Sequence, residues 1–283
     1  MPRRPIKHPD KKPETDRTAA ISEVERFKRR AAFDAMYKYT FGIVSDDDDG
    51  FEGRGMGSGV GVVWKDSHLI LTAAHVLKRT PLDRLYFMVP LEPLVFADSV
   101  EKADRNKLQM QQRGQFEKQQ GVISKDYDLA DVIVPSQEEE TTRGHFYQLD
   151  GGRTTVRTGN VVGFSGYPSC KAQPFGANFA AFPFCDIGKV CSEPIQHDRK
   201  AQMLVRYYCA AEVDPHGLSG GGVWAFQRSG SIWSPRIALA GLLTHYQKKR
   251  GVLTGYRAAT ILRFLRDIQP WIDDRSTQVN KSS

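Results

Sequence analysis

From Gly57 to about Tyr246 the chain is a succession of short β-prone runs broken by glycine, proline and aspartate, and no other feature limits its fold as much. Val60–Trp64, Leu69–Thr72, Leu85–Val89, Ala130–Val134, Asn160–Phe164, Met203–Val213, Gly222–Phe226 and Ile237–His245 are the candidate strands, with Tyr39–Val44 ahead of them. Many short strands with turn signals between them predict an all-β sandwich or a pair of barrels. A polar, Lys/Gln-rich stretch over residues 100–120 interrupts the series as a helical or looped insertion. Asp46–Asp49, closed by Gly50, lacks the spaced ligands and distal carboxylate of a calcium loop and reads as a solvated turn.

Helical periodicity is confined to the two ends. Ala20, Val24, Phe27, Ala31 and Ala35 recur at intervals of three and four, which predicts one apolar stripe on a helix from about Ala19 to Tyr37. Ser22 and Glu25 have capping-box spacing, although Asp16 or Thr18 would serve as a start as well. Near the other end Ile261, Leu262, Phe264, Leu265 and Ile268 mark a helix over Ala258–Gln269, which Pro270 should end or kink. Residues 1–15, with four prolines and five basic side chains, and residues 276–283 read as tails.

The net charge of +7 on 283 residues invites a nucleic-acid reading until it is located. Residues 1–30 carry +5 of it and the remaining body only +2. In the N-terminal segment acidic residues are interleaved with basic ones, as on a solvated helix packed outside a body, so nucleic acid is not an expected partner. Mean hydropathy is −0.46, and no apolar run approaches the ~18 residues of a spanning helix, so no membrane is expected either. The first thirty residues hold no apolar segment of a secretion signal, which points to the cytoplasm and to reduced thiols. Cys170, Cys185, Cys191 and Cys209, with His197 nearby, lack a paired C-x₂₋₄-C spacing and read as structural thiols rather than a zinc site.

Three segments carry chemistry. In the first, Gly57-Ser58-Gly59 precedes an apolar strand that runs through Thr72-Ala73-Ala74 into His75, where small neighbours leave an imidazole room to turn. In the second, Asp128-Leu129-Ala130 enters a strand, with Asp126 and Asp131 as competing carboxylates. In the third, Gly217-Leu218-Ser219-Gly220-Gly221 embeds a serine among glycines that free its hydroxyl and the backbone N–H groups around it. Each alone has an ordinary reading as a packed histidine, a turn aspartate or a glycine-rich hairpin.

Together, in the order His, Asp, Ser, the three segments resemble the trypsin-like, chymotrypsin-fold serine peptidases, and more closely the bacterial-type members with Gly-Ser-Gly before the histidine strand. Gly166-Tyr167-Pro168 and Ala240-Gly241-Leu242-Leu243-Thr244 are lesser matches. The resemblance covers about residues 39–270 and implies two six-stranded antiparallel β-barrels with a C-terminal helix. Expected domains are a basic tail and N-terminal helix over residues 1–38, the peptidase unit over 39–275 and a tail over 276–283. It further implies a serine endopeptidase: His75 as general base, Asp128 holding its tautomer, Ser219 as nucleophile, and an oxyanion hole from the N–H groups of Gly217 and Ser219. Asp128 is the expected aspartate because it alone precedes Leu-Ala, and alternation should turn Asp131 the other way.

Thr244 matches a position whose hydroxyl often supports the aspartate, and Val213 matches the floor of the specificity pocket. His245, with His216, is expected near that pocket. With valine at the floor and Leu218 before the serine, neither Arg/Lys specificity nor the zymogen switch of digestive relatives is implied. The expected partners are a protein or peptide substrate inside the cell and a regulatory protein docking on the N-terminal extension. No cofactor and no metal are expected. The reading from a different class is a protease-fold binding module without turnover.

Overall fold

The computed structural model describes residues 30–45, 57–78, 80–89, 113–115, 121–134, 142, 144–149, 154–175, 178–181, 183–191, 200–209, 212–229 and 232–274. Two curled β-sheets dominate it. The first has at its centre the antiparallel order β4-β1-β2-β3-β7-β6, formed by Leu85–Met88, Thr40–Ser45, Gly57–Trp64, Ser67–Thr72, Ala130–Ile133 and Gly121–Ile123. β5 (Arg113–Gln115) extends one edge beside β4, and the two-residue β8 (Tyr147–Gln148) runs parallel to β2.

The second sheet has the order β12-β9-β14-β15-β16-β13, formed by Phe184–Lys189, Val161–Gly166, Gly222–Ser229, Ile232–Gln247, Val252–Arg257 and Gln202–Arg206. A bridge between Val190 and Val205 joins its two outer strands and closes it into a barrel. A separate hairpin pairs β10 (Ala172–Phe175) with β11 (Asn178–Ala181). This is the expected all-β pair of six-stranded antiparallel units, with β5 and β8 added to the first.

The strands read as nearly continuous apolar runs because both faces of the first sheet are covered. Alternation on β3 sends Ile70 into the barrel interior with Phe41, Ile43, Phe87 and Val132, while Leu69 and Leu71 point outward. The outward face joins Val60, Val62, Trp64 and Leu129 in a second core, sealed by the helix Ala258–Asp267 through Ile261, Leu262, Phe264 and Leu265. The Trp64 indole N–H donates to Gln269 Oε1 at 2.6 Å and pins the end of that helix to β2. The expected helix thus ends two residues early, and residues 269–274 continue as a further helical turn that buries Ile272.

Residues 30–37 are helical, in agreement with the described part of the N-terminal expectation, and bury Met36 beside β9. The Thr40 hydroxyl donates to Met36 O at 2.9 Å and lies 2.7 Å from Ser165 Oγ, tying helix, β1 and β9 together. The part of the expected helix before residue 30, the expected basic tail, Asp46–Asp49, most of residues 100–120, His197 and the expected 276–283 tail lie outside the described residues.

Candidate active site

The site lies where the two barrels meet, and local sequence explains how each segment arrives there. β3 ends at Thr72, the fully buried Ala73 and Ala74 let the chain turn closely against the barrel, and the short helix Ala74–Lys78 presents His75. On the neighbouring strand, Ser124 Oγ accepts from the N–H groups of Asp126 and Tyr127 at 3.2 and 3.1 Å. This serine turn delivers Asp128 at the mouth of β7. Asp128 Oδ2 then lies 2.7 Å from His75 Nδ1, and its Oδ1 accepts the His75 backbone N–H at 2.9 Å. The Asp128 N–H in turn donates to Tyr256 Oη on β16 at 3.2 Å.

Burial works to raise the Asp128 pKa, but the hydrogen bonds from the His75 ring and backbone, with the nearby charges of His75 and His245, outweigh it. The net result is a carboxylate held below its ordinary range. The competing aspartates are elsewhere: Asp126 is exposed, and Asp131 is fully buried on β7, paired across Leu71 and Val122.

The Ser219 loop is clamped from both barrels. Ser219 O accepts the Ser58 N–H from β2 at 2.7 Å, and the next N–H, Gly220, donates to Leu243 O of β15 at 2.8 Å. Gly220 holds φ +89°, where a Cβ would collide with Ser58 O and Thr72 Oγ1, so no other residue fits that crossing. Ahead of the serine, Leu218 N–H closes a turn onto Pro215 O at 3.0 Å, with Gly217 at φ +96° in the position that a type II turn reserves for glycine. His216 O accepts the Ser169 N–H at 2.7 Å. Because a trans peptide points its C=O and N–H in opposite directions, that bond turns the Gly217 N–H away from Ser169. Among the described residues neither the Gly217 nor the Ser219 N–H has a protein acceptor.

His75, Ser219, Gly217, His216, Asp214 and His245 border one open cavity of about 400 Å³. The structure therefore brings His75, Asp128, Ser219 and Gly217 to one place. The Ser219 hydroxyl donates to Thr244 O at 2.7 Å, not to His75.

Two sequence expectations need correction. The Thr244 hydroxyl does not reach the aspartate: it donates to Thr254 O at 3.3 Å. The cause is a β-bulge, since the β15–β16 register slips between Leu243 and His245 and leaves Thr244 unpaired, its side chain buried and its carbonyl free for Ser219. The same slip turns His245 outward, where its Nδ1 lies 3.8 Å from Asp128 Oδ2 and its ring 5.2 Å from that of His75. Val213 does not floor the cavity. It is buried, with its carbonyl held by Tyr207 Oη at 2.7 Å, and Asp214 and Pro215 form the cavity wall instead. Asp214 Oδ1 accepts the His216 N–H at 2.9 Å, so its carboxylate is engaged in the turn.

Sequence reasoning also left the roles of Ser58, Ser169 and Tyr256 unread. Ser58 was visible in Gly57-Ser58-Gly59, but the other two lie in segments with no chemical motif.

No family model matches the chain, and no curated protein does. Solved structures do match. A serine endoprotease from Yersinia pestis is 15% identical, with a TM-score of 0.53 over 85% of this chain. The chain has the trypsin/chymotrypsin fold. It spans 66% of the length of that endoprotease. A scabies mite inactivated protease paralogue is 13% identical, with a TM-score of 0.50 over 83% of this chain and 97% of that one. The chain is thus similar to structures named both as a protease and as an inactivated paralogue. Among the described residues no helix is long and apolar enough to cross a membrane. The four cysteines are free of disulfides, and Cys209 Sγ lies 2.7 Å from Asp186 Oδ2.

Proposed function

We propose that the protein is a serine endopeptidase acting on a specific intracellular protein through His75, Asp128 and Ser219. The observation that carries this reading is the double hydrogen bond of Asp128 to the ring and backbone of His75, on the cavity that Ser219 shares. A serine hydroxyl is a poor nucleophile at neutral pH and needs a base within reach. In the proposed cycle Ser219 Oγ swings from Thr244 O to His75 and attacks the scissile carbonyl as the imidazole takes its proton. Asp128 fixes the Nδ1–H tautomer and stabilises the imidazolium. The Gly217 and Ser219 N–H groups receive the developing oxyanion, each such donor being worth about 10²–10³ in rate. His75 then protonates the leaving amine, and water repeats the attack on the acyl-enzyme. The N-terminal extension is the proposed dock for a regulatory protein.

The second reading is a protease-fold binding module without turnover. It is favoured by the hydrogen bond that holds Ser219 Oγ on Thr244 O, and by the similarity to an inactivated paralogue. A fluorophosphonate probe separates the two. On the peptidase reading it labels the wild type and not Ser219→Ala, and the wild type cuts a proteome-derived peptide library that His75→Ala leaves intact. No labelling of Ser219 in any condition that keeps the protein folded would establish the binding module instead.

A further inference from the structure

Asp128 is faced by two imidazoles. His75 Nδ1 lies 2.7 Å and His245 Nδ1 3.8 Å from the same oxygen, Oδ2. A nitrogen from each ring and a carboxylate oxygen all lie within 4.8 Å of one another. We propose that His75, Asp128 and His245 form a binding site for a divalent transition-metal ion of the zinc class, which shuts the catalytic centre down reversibly.

Two imidazole nitrogens and one carboxylate oxygen are a donor set that zinc accepts, with water in the fourth position. Bonds of about 2.0–2.2 Å in tetrahedral geometry set neighbouring donors roughly 3.3–3.5 Å apart. The two observed separations, 2.7 and 3.8 Å, bracket that range, so the first pair opens by roughly 0.6–0.8 Å and the second closes by roughly 0.3–0.5 Å to seat the ion. His245 has the freedom to move, its side chain being 63% exposed beside the bulge at Thr244. The cavity bordered by His75 and His245 supplies an entry path and room for the water ligand. No spacing in the sequence announces the set, because the three residues come from a short helix, a strand mouth and a bulged strand.

The inhibitory consequence rests on the peptidase reading; the binding does not. A metal on His75 Nδ1 occupies the place of the proton shared with Asp128. That proton relocates through solvent to Nε2, and an Nε2–H cannot accept the Ser219 proton.

The test is a calorimetric titration of zinc chloride into the full chain. The wild type and Ser219→Ala should bind one ion with equal affinity, while His75→Ala and His245→Ala each lose at least about tenfold. His245→Asn, which keeps a polar group at this exposed position, should show the same loss. Fluorophosphonate labelling of the wild type should slow as zinc is added and recover with chelator. In His245→Ala the same fractional slowing, against its own zinc-free rate, should need at least about tenfold more zinc. Zinc affinity unchanged in both His245 variants, or no stoichiometric binding to the wild type, overturns the proposal. If the calorimetric loss is seen but no labelling occurs at any zinc concentration, the site stands and the peptidase reading fails.

Discussion

Ser58 ties the Ser219 loop to β2 and to Tyr167, and Ser58→Ala tests that role. Its side chain is fully buried and engaged twice: Oγ donates to Gly217 O at 2.7 Å and accepts the Tyr167 N–H at 2.7 Å. Alanine leaves the backbone bonds to Ser219 O and from Thr72 Oγ1 in place, so the substitution isolates the two side-chain contacts. Each orphaned buried group costs about 1–3 kcal/mol. Tyr167 is fully buried and bears its cost in full, whereas Gly217 borders the open cavity where water relieves part of it. The expected loss is therefore about 2–4 kcal/mol, which at about 2–4 °C per kcal/mol lowers Tm by about 4–16 °C. The Gly217 peptide also loses one of its anchors. Fluorophosphonate labelling should slow at least about tenfold, with a ceiling near the 10²–10³ that one oxyanion donor contributes. Ser169→Ala is the control, because among the described residues its buried Oγ has no hydrogen-bond partner and its removal should cost under about 0.5 kcal/mol. If the two variants unfold within about 0.5 kcal/mol of each other, Ser58 is no clamp and the reasoning fails.

Two further substitutions probe neighbouring features. Asp131 is fully buried, its carboxyl oxygens make no full hydrogen bond among the described residues, and burial holds its pKa well above the ordinary value despite the Val132 amide. The unfolded chain loses this proton first as pH climbs past about 4, so the wild type loses stability from there up to the folded pKa. Asp131→Leu, nearly isosteric and unable to titrate, should be more stable by about 1–3 kcal/mol at pH 7, with the gap shrinking toward pH 4; a gap independent of pH refutes the assignment. Tyr256→Phe removes the acceptor of the Asp128 N–H and should cost about 1 kcal/mol in chemical denaturation. It should also slow labelling a few-fold, and an unchanged labelling rate would mean that Tyr256 does not position the aspartate.

The architecture was legible where branched and apolar residues continue past a glycine, as in β2 beyond Gly61 and β15 beyond Gly241, whereas β16 and β12 went unread. Val252–Arg257 was not among the candidate strands, and it contains Gly255. In the fold it lets the backbone of β16 approach Leu242 O, where an added Cβ would stand only 2.5 Å away. β12, also absent from the candidate strands, carries Asp186 and Gly188 among its apolar residues. The opposite error occurred at Met203–Val213, an unbroken β-prone run whose ladder stops at Arg206. The Glu212 and Val213 N–H groups bond back to Cys209 O at 2.9 Å, backbone contacts that composition does not encode.

At the site, sequence pattern located the groups that motifs can carry and missed those that register creates. His75, Asp128 and Ser219 sit in contiguous strings whose small neighbours are themselves informative. Whether a hydroxyl or an imidazole reaches the carboxylate from β15 depends instead on one unpaired residue in a ladder. With regular alternation through Thr244, the inward and outward positions beyond it would be exchanged. The bulge gives Asp128 an imidazole where the resemblance implied a hydroxyl, and gives Ser219 a carbonyl on which to rest. A single register slip thereby sets both the resting contact of the proposed nucleophile and the second nitrogen ligand of the proposed metal site. A substitution that restores regular pairing at Thr244 should therefore alter both together.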